Sequence, residues 1–254
     1  MDLGLGGKKA LVTGGSRGIG RAIVLGLAQG GAKVAACYNR ESDDVNRLRA
    51  ELAEVDGDSY LTQADISDPA SVQRFVEEAA SRFDGLDIVI NNAGVVSHAM
   101  IGDLDLEEWH RVLDTNLTSA FLCSKAAYPA FKRAGGGKII NIGSMMSIFG
   151  ASFAPVYSSS KGGIVQYTRA IATAWAKDNI QCNAVLPGWI DTELTKGARE
   201  QVSGLNEMVL SRTPAARWGD PQDLATVAVF LAAPGSGFVT GAAIPIDGGF
   251  SVRG

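Results

Sequence analysis

Apolar residues along the chain gather in seven short runs, separated by longer segments where they recur every three or four positions. The runs are Lys9–Thr13, Lys33–Tyr38, Asp58–Thr62, Leu86–Asn91, Lys138–Ile142, Ile180–Leu186 and Ala243–Ile246. Leu86–Asn91 is continuous, as a parallel strand buried on both faces should be. Between the runs, Arg21–Gln29 carries apolar Ile23, Val24 and Leu27. Asp43–Glu54, Val72–Phe83, Leu106–Arg133, the stretch after Pro155 and Pro221–Ala233 also read as helices. Strands alternating with helices predict an α/β fold, a doubly wound, seven-stranded parallel sheet with helices on both faces. Ligands of such a sheet bind at its carboxyl edge. Glu193–Trp218 is polar and only weakly helical, and reads as an irregular, mobile lid over that edge. With no repeat, low-complexity tract or linker, residues 1–254 read as one domain.

Composition narrows the function. The 254 residues are 46% hydrophobic and 20% charged, as in an ordinary globular protein. A net charge of −4 without a basic block disfavours nucleic-acid binding. No apolar run is long enough to span a bilayer, and the N-terminus enters the first strand without a secretion-signal pattern. No membrane association is expected. Cys37, Cys123 and Cys182 are far apart and odd in number, which reads as buried thiols in a reducing, cytoplasmic compartment. His98 and His110 are the only histidines, so no metal site is expected. The absence of GxSxG argues against a serine hydrolase.

Candidate chemistry centres on Asn141–Lys161. Tyr157 and Lys161 are four apart after Pro155, so they share a helix face. An ammonium about 4 Å from a phenolate, at an effective dielectric of about 20, contributes about 4 kcal/mol. That would lower a phenol from near pH 10 by up to about 3 units, making a general acid–base. Ser144, thirteen residues before Tyr157, could hold a substrate oxygen beside it. A Tyr and a Lys at this spacing also arise by chance; a glycine-rich loop and Asn91-Asn92-Ala93-Gly94 give the pair its context. The loop, Gly14-Gly15-Ser16-Arg17-Gly18-Ile19-Gly20, lies between a strand and an amphipathic helix, where glycines and free N–H groups suit a pyrophosphate. Such a loop is elsewhere often only a turn.

These motifs, with Asn116 and Pro187-Gly188, resemble in order and spacing the compact one-domain short-chain dehydrogenase/reductase family, over nearly the whole chain. Loop and length look most like its 3-oxoacyl-carrier-protein-reductase-like members. The resemblance implies a Rossmann fold and hydride transfer between a nicotinamide and a carbonyl or alcohol carbon. Tyr157 would be the acid–base, Lys161 would favour the phenolate and bind the nicotinamide ribose, Ser144 would orient the substrate, and Asn116 would kink its helix and anchor a proton-relay water. It also implies that Asp65 and Ile66 meet the adenine, that Asn92, Ala93 and Gly94 pass beside the cofactor, and that Ile190 and Thr192 follow Pro187-Gly188 onto the nicotinamide carboxamide.

At the end of the second strand stand Tyr38, Asn39 and Arg40, with no carboxylate before Glu41. Arg17 and Arg40 could both approach a 2′-phosphate, which favours NADP over NAD. Alternatively Arg40 is a solvated loop residue. Met145, Met146 and Trp189 are candidate substrate-wall residues, and the two Met also fit generic packing. Family members dimerise through the helices carrying Asn116 and Tyr157, so Gly162, Gly163 and the alanines Ala120, Ala126 and Ala127 point to close helix packing in a homodimer or, more in keeping, a homotetramer. The substrate could be a 3-oxoacyl thioester, a sugar or polyol, or a ketone. Competing readings are a nucleotide-sugar epimerase or dehydratase, whose chains are longer, and a non-catalytic NADP sensor, which would typically have lost the Tyr or Lys.

Overall fold

The computed structural model describes residues 3–55 and 58–254. Seven parallel strands form one sheet, in the order β3-β2-β1-β4-β5-β6-β7. They are β1 Lys9–Val12, β2 Lys33–Tyr38, β3 Tyr60–Gln63, β4 Ile88–Asn91, β5 Gly137–Ile142, β6 Ile180–Pro187 and β7 Ala243–Ile246. The helices are α1 Gly18–Gln29, α2 Asp43–Val55, α3 Pro69–Arg82, α4 Leu106–Leu113, α5 Ser119–Ala134, α6 Pro155–Trp175, α7 Glu193–Gln201, α8 Leu205–Arg212 and α9 Pro221–Ala232.

The period-two geometry of a strand divides each apolar run between two cores. Val12, Ile88, Ile90, Ile140 and Ile142 face α1 and α9, packing with Ile23, Val24, Leu27, Leu224 and Ala228. Leu11, Val89 and Ile139 face the other way, against Phe75 and Val76 of α3 and Cys123 and Phe131 of α5. Strand order reverses around β1, which pairs with both β2 and β4. The crevice that opens at the carboxyl ends of β1 and β4 is where such sheets receive ligands.

Several boundaries differ from the sequence reading. The third strand is Tyr60–Gln63 rather than Asp58–Thr62. The fourth begins at Ile88, two residues late, and the Asp87 carboxylate just before it accepts from the Lys9 N–H at 2.9 Å. Leu106–Arg133 is not one helix: a π-helical turn, Asp114–Thr118, separates α4 from α5 and carries Asn116. Glu193–Trp218 is not irregular, since it holds α7 and α8. Asp68 caps α3, accepting from Ala70 N and Ser71 N. The alanines expected at a subunit contact are used inside the chain: Ala127 lies in the α3–α5 core and Ala120 packs with Ile164 and Leu186. Gly163 likewise answers its own chain, because a Cβ there would sit 2.9 Å from Leu117 Cδ2, whereas Gly162 faces open space. Among the described residues no helix is long and apolar enough to cross a membrane.

Candidate active site

The glycine loop is shaped by close approach to the strand end beside it. Gly14 has φ +64°, and a Cβ there would lie 2.9 Å from Ala93 Cα. A Cβ on Gly20 would overlap the Gly14 carbonyl. Asn92 braces the loop from β4, donating from Nδ2 to the carbonyls of Thr13 (3.0 Å) and Gly14 (2.9 Å). Thr13 Oγ1 in turn accepts from Asn92 N and Ala93 N, both at 3.1 Å. Arg17 stands at the N-cap of α1 without a side-chain cap, and the first turn holds no acid. This leaves a twelve-residue helix with its positive end open to an anion. Ser16 is half-buried, while Ile19 packs on the core below. Gly18, φ +53°, would bring a Cβ within 3.3 Å of Thr192 Cγ2, so loop and post-β6 segment close on one cleft. At the far wall Gly188 N donates to Ile246 O at 3.0 Å, Pro187 ends β6, and Ile190 is buried. Thr192 N donates to Thr195 Oγ1 at 2.9 Å. The cradle therefore fits a dinucleotide, with small residues where backbone must approach and unpaired donors at the helix start.

The outer end of the cleft is charged and exposed. Arg17 and Arg40 are exposed, and among the described residues neither has an ion pair. Tyr38 is different. Its hydroxyl donates to Glu41 and accepts from Arg49 at 2.7 Å, and Arg49 also donates to Glu41 at 2.7 Å. Arg49 and Tyr38 thereby hold the Glu41 carboxyl below its usual range, while burial, then Glu41, raises the Tyr38 phenol. Asn39 accepts at its carbonyl from Gln63 at 2.9 Å. Asp65 accepts at Oδ1 from Ser67 N (2.9 Å) and Oγ (2.7 Å), and Ile66 is buried in the α3-side core.

The inner end gathers Ser144, Tyr157 and Lys161. Ser144 follows β5 and caps a short turn, its Oγ accepting from Met146 N at 3.1 Å. Met145 is buried below it and Met146 is half-buried. Tyr157 and Lys161 occupy the first turns of α6. Lys161 is only 4% exposed and donates to Ile142 O at 2.7 Å, which leaves two of its three donors. Its Nζ lies 5.8 Å from the Tyr157 ring centre. Gly94 keeps this corner open: a Cβ would come within 3.5 Å of Lys161 Nζ and 3.4 Å of Asn116 Oδ1.

The electrostatics correct the expectation of a lowered tyrosine. Burial raises the Tyr157 phenol above its ordinary value, opposed only by the Ser144 hydroxyl. Burial also lowers Lys161 from 10.5 to about 8. Low-dielectric surroundings disfavour both charged forms, and the ammonium is turned to a backbone carbonyl rather than to the phenol. The pair is thus a neutral phenol beside an amine poised near physiological pH.

The chain matches the family described as enoyl-(acyl carrier protein) reductase over residues 14–251. It is 40% identical to a tropinone reductase homologue of Arabidopsis thaliana, covering 98% of this chain and 94% of that one. It is 36% identical to a 2-dehydro-3-deoxy-D-gluconate 5-dehydrogenase of Formosa agariphila, over 96% and 92%. It also superposes, with TM-score 0.90 and 33% identity over 99% of both chains, on an Agrobacterium tumefaciens structure assigned as a 2-deoxy-D-gluconate 3-dehydrogenase with NADP bound. The chain belongs to the short-chain dehydrogenase/reductase family. It is an NAD(P)-dependent oxidoreductase.

In this short-chain dehydrogenase/reductase, three supporting contacts escaped the sequence reading. Asn116 Oδ1 accepts from Val95 N at 2.8 Å, and its Nδ2 donates to Val95 O at 2.9 Å and Ser160 Oγ at 3.0 Å. Ser160 Oγ donates to Tyr157 O at 2.7 Å, so Asn116 reaches the tyrosine's backbone. The Asn116 side chain is therefore engaged with Val95 and Ser160. Ser147 Oγ accepts from Ser144 N at 3.2 Å and donates to Lys161 O at 2.5 Å, tying the serine turn to α6. The Ser-x-x-Ser spacing of a capping box was the available signal. Trp189 packs edge-on against Trp218, with ring centres 5.7 Å apart. Its indole N–H is buried without a partner among the described residues, and it lines a cavity of about 330 Å³ with Ile190, Arg217, Asp247 and Gly248 that Ser144, Tyr157 and Lys161 do not line.

Proposed function

We propose that the protein interconverts a carbonyl and a secondary alcohol with NADP(H), Tyr157 Oη giving the proton in reduction and taking it in oxidation. The observation that carries this is the convergence of Ser144, Tyr157 and a buried Lys161 at the inner end of a glycine-lined cleft. Gly14, Ser16, Arg17, Gly18, Ile19 and Gly20 would hold the pyrophosphate side, and Asp65 and Ile66 the adenine. Asn92, Ala93, Gly94, Pro187, Gly188, Ile190 and Thr192 would flank the nicotinamide. A nicotinamide held there supplies the hydride, chemistry no side chain provides.

The chain's own groups do the rest. Ser144 Oγ donates to the substrate oxygen and orients it beside Tyr157. The Tyr157 phenol, kept protonated by burial, is a competent acid in the reducing direction. Lys161, with two donors unused by the protein, binds ribose hydroxyls and stabilises the phenolate as it forms. Asn116 acts by holding the start of α6. Met145 and Met146, in the turn that Ser144 caps, form part of the substrate wall.

NADP is favoured over NAD because Arg17 and Arg40 are exposed with no acidic partner among the described residues, whereas Glu41, the first carboxylate after β2, is engaged by Arg49 and Tyr38. The substrate class comprises small carbonyl compounds, with oxidised sugar acids suggested by the gluconate-type relatives and 3-oxoacyl thioesters by relatives named 3-oxoacyl-(acyl-carrier-protein) reductase. A cytoplasmic homotetramer is the accompanying expectation. The test is kcat/KM for NADPH and NADH across sugar acids, ketoses, simple ketones and acyl thioesters. NADPH should be preferred by about tenfold or more, and Arg40→Ala should erode that preference. A clear NADH preference would overturn the cofactor reading, and absence of any turnover would overturn the reaction.

A further inference from the structure

Four arginines lie in or beside the segment between β6 and the C-terminus, and three have their donors engaged. Arg199 donates to Asp191, Arg217 makes a two-pronged pair with Asp223 at 2.7 and 3.1 Å, and Arg253 donates to Ser211 O. Arg212, the last residue of α8, is the exception. Among the described residues it has no hydrogen bond and no carboxylate partner.

Arg212 is nonetheless held in place. Its guanidinium carbon sits 4.2 Å from the centre of the Phe250 ring and 5.7 Å from that of Phe149. Those rings meet edge to face, with centres 6.5 Å apart at 68°. Phe149 belongs to the turn that Ser144 begins, its N–H donating to Met145 O at 2.9 Å. Phe250 is buried just beyond β7. The guanidinium therefore joins α8, the serine turn and the C-terminal segment. Stacking uses the face of a guanidinium and leaves its N–H edge free, in the fork that matches a carboxylate. An exposed cation packed on two rings, with donors idle, is a built half of an ion pair whose other half is not found among the described residues.

We propose that Arg212 binds the carboxylate of the substrate, so that the protein's preferred substrates are hydroxy and keto acids, the acid group held at the α8 end and the reacting carbon at Ser144 and Tyr157. This rests on the hydride-transfer reading above. The alternative role, a latch that only clamps α8 to the two rings, makes a different prediction, because a latch does not distinguish a charged from an uncharged substrate.

The experiment measures NADPH-dependent reduction of 5-keto-D-gluconate, its C1 amide and an uncharged six-carbon ketose by the wild type, Arg212→Gln and Arg212→Lys. NADPH affinity and Tm are measured in parallel to show that each variant is folded. The wild type should favour the acid over the amide by about tenfold or more in kcat/KM, the scale of a hydrogen bond to a charged group. Arg212→Gln should bring the acid-to-amide ratio close to one, with KM for the acid carrying the change. Arg212→Lys, which keeps the charge but not the fork, should restore part of it. Equal use of acid and amide by the wild type, or an unchanged ratio in Arg212→Gln, overturns the inference while leaving the reaction intact. Failure to reduce any of the three compounds overturns the inference too, and a further failure with simple ketones and acyl thioesters removes the reaction reading beneath it.

Discussion

The two ends of the cleft solve their problems by opposite means. At the inner end Lys161 and Asn116 are buried and the contacts run to backbone: Lys161 to Ile142 O, Asn116 to both polar groups of Val95, Ser147 to Ser144 N and Lys161 O. At the outer end the exposed Glu41 and Arg49 bond to each other and to the hydroxyl of the buried Tyr38, and Arg17 and Arg40 stand in solvent. Burial makes the inner end exacting, because a displaced polar group finds no water to replace its partners and the low dielectric amplifies every charge. Solvent makes the outer end adjustable, because screened pairs between exposed groups are weak. Reaction chemistry should therefore resist substitution and cofactor preference should yield to it.

The contrast can be broken first through Lys161. Lowered to about 8 by burial, the ammonium of the free enzyme is lost above that pH, while the raised Tyr157 phenol stays protonated. Reduction should decline above about pH 8 in kcat/KM, and Lys161→Met should lower the rate about a hundredfold and abolish that limb. The same shift has a signed effect on stability. The unfolded chain binds the Lys161 proton more tightly than the folded one, so this group makes stability rise with pH between about 8 and 10.5. A pH profile flat to 10 would contradict the burial argument. Ser147→Ala comes next. It removes the tie between the serine turn and α6, and kcat should fall about fivefold with NADPH affinity held, the size of one hydrogen bond. A change confined to Tm would make Ser147 merely structural. The smallest effect belongs to the outer end. Glu41→Gln releases Arg49 from its carboxylate and should raise the NADPH-to-NADH ratio in kcat/KM by about threefold without altering kcat.

What could be read from the residues divides along the same line. The seven strands, the glycine loop and the Tyr157–Lys161 helix were legible because each is local: a run of apolar residues, a turn chemistry, a spacing of four. Boundaries slipped by a residue or two, as where the fourth strand begins at Ile88 rather than Leu86, because the apolar run does not mark where the ladder starts. The π-helical turn at Asn116 interrupts a stretch whose apolar pattern reads as one helix; the family resemblance implied a kink there, but the Asn116 bond to Val95 N, twenty-one residues away, leaves no local signal. Ser160 and Ser147 sit in a serine-rich stretch where nothing marks one hydroxyl above another until Asn116 and Lys161 are beside them. The direction of the Tyr157 shift was missed for the same reason. A sequence shows a neighbouring charge but not the loss of water, and here the loss of water wins.

The account turns on the Tyr157 hydroxyl as the group that carries the proton, and Tyr157→Phe tests it most directly. NADPH binding should stay within about threefold of wild type, and kcat should fall by about a hundredfold or more, the range of a general acid–base. A variant that kept more than about a tenth of wild-type kcat would contradict the assignment, whatever else in the cleft proved correct.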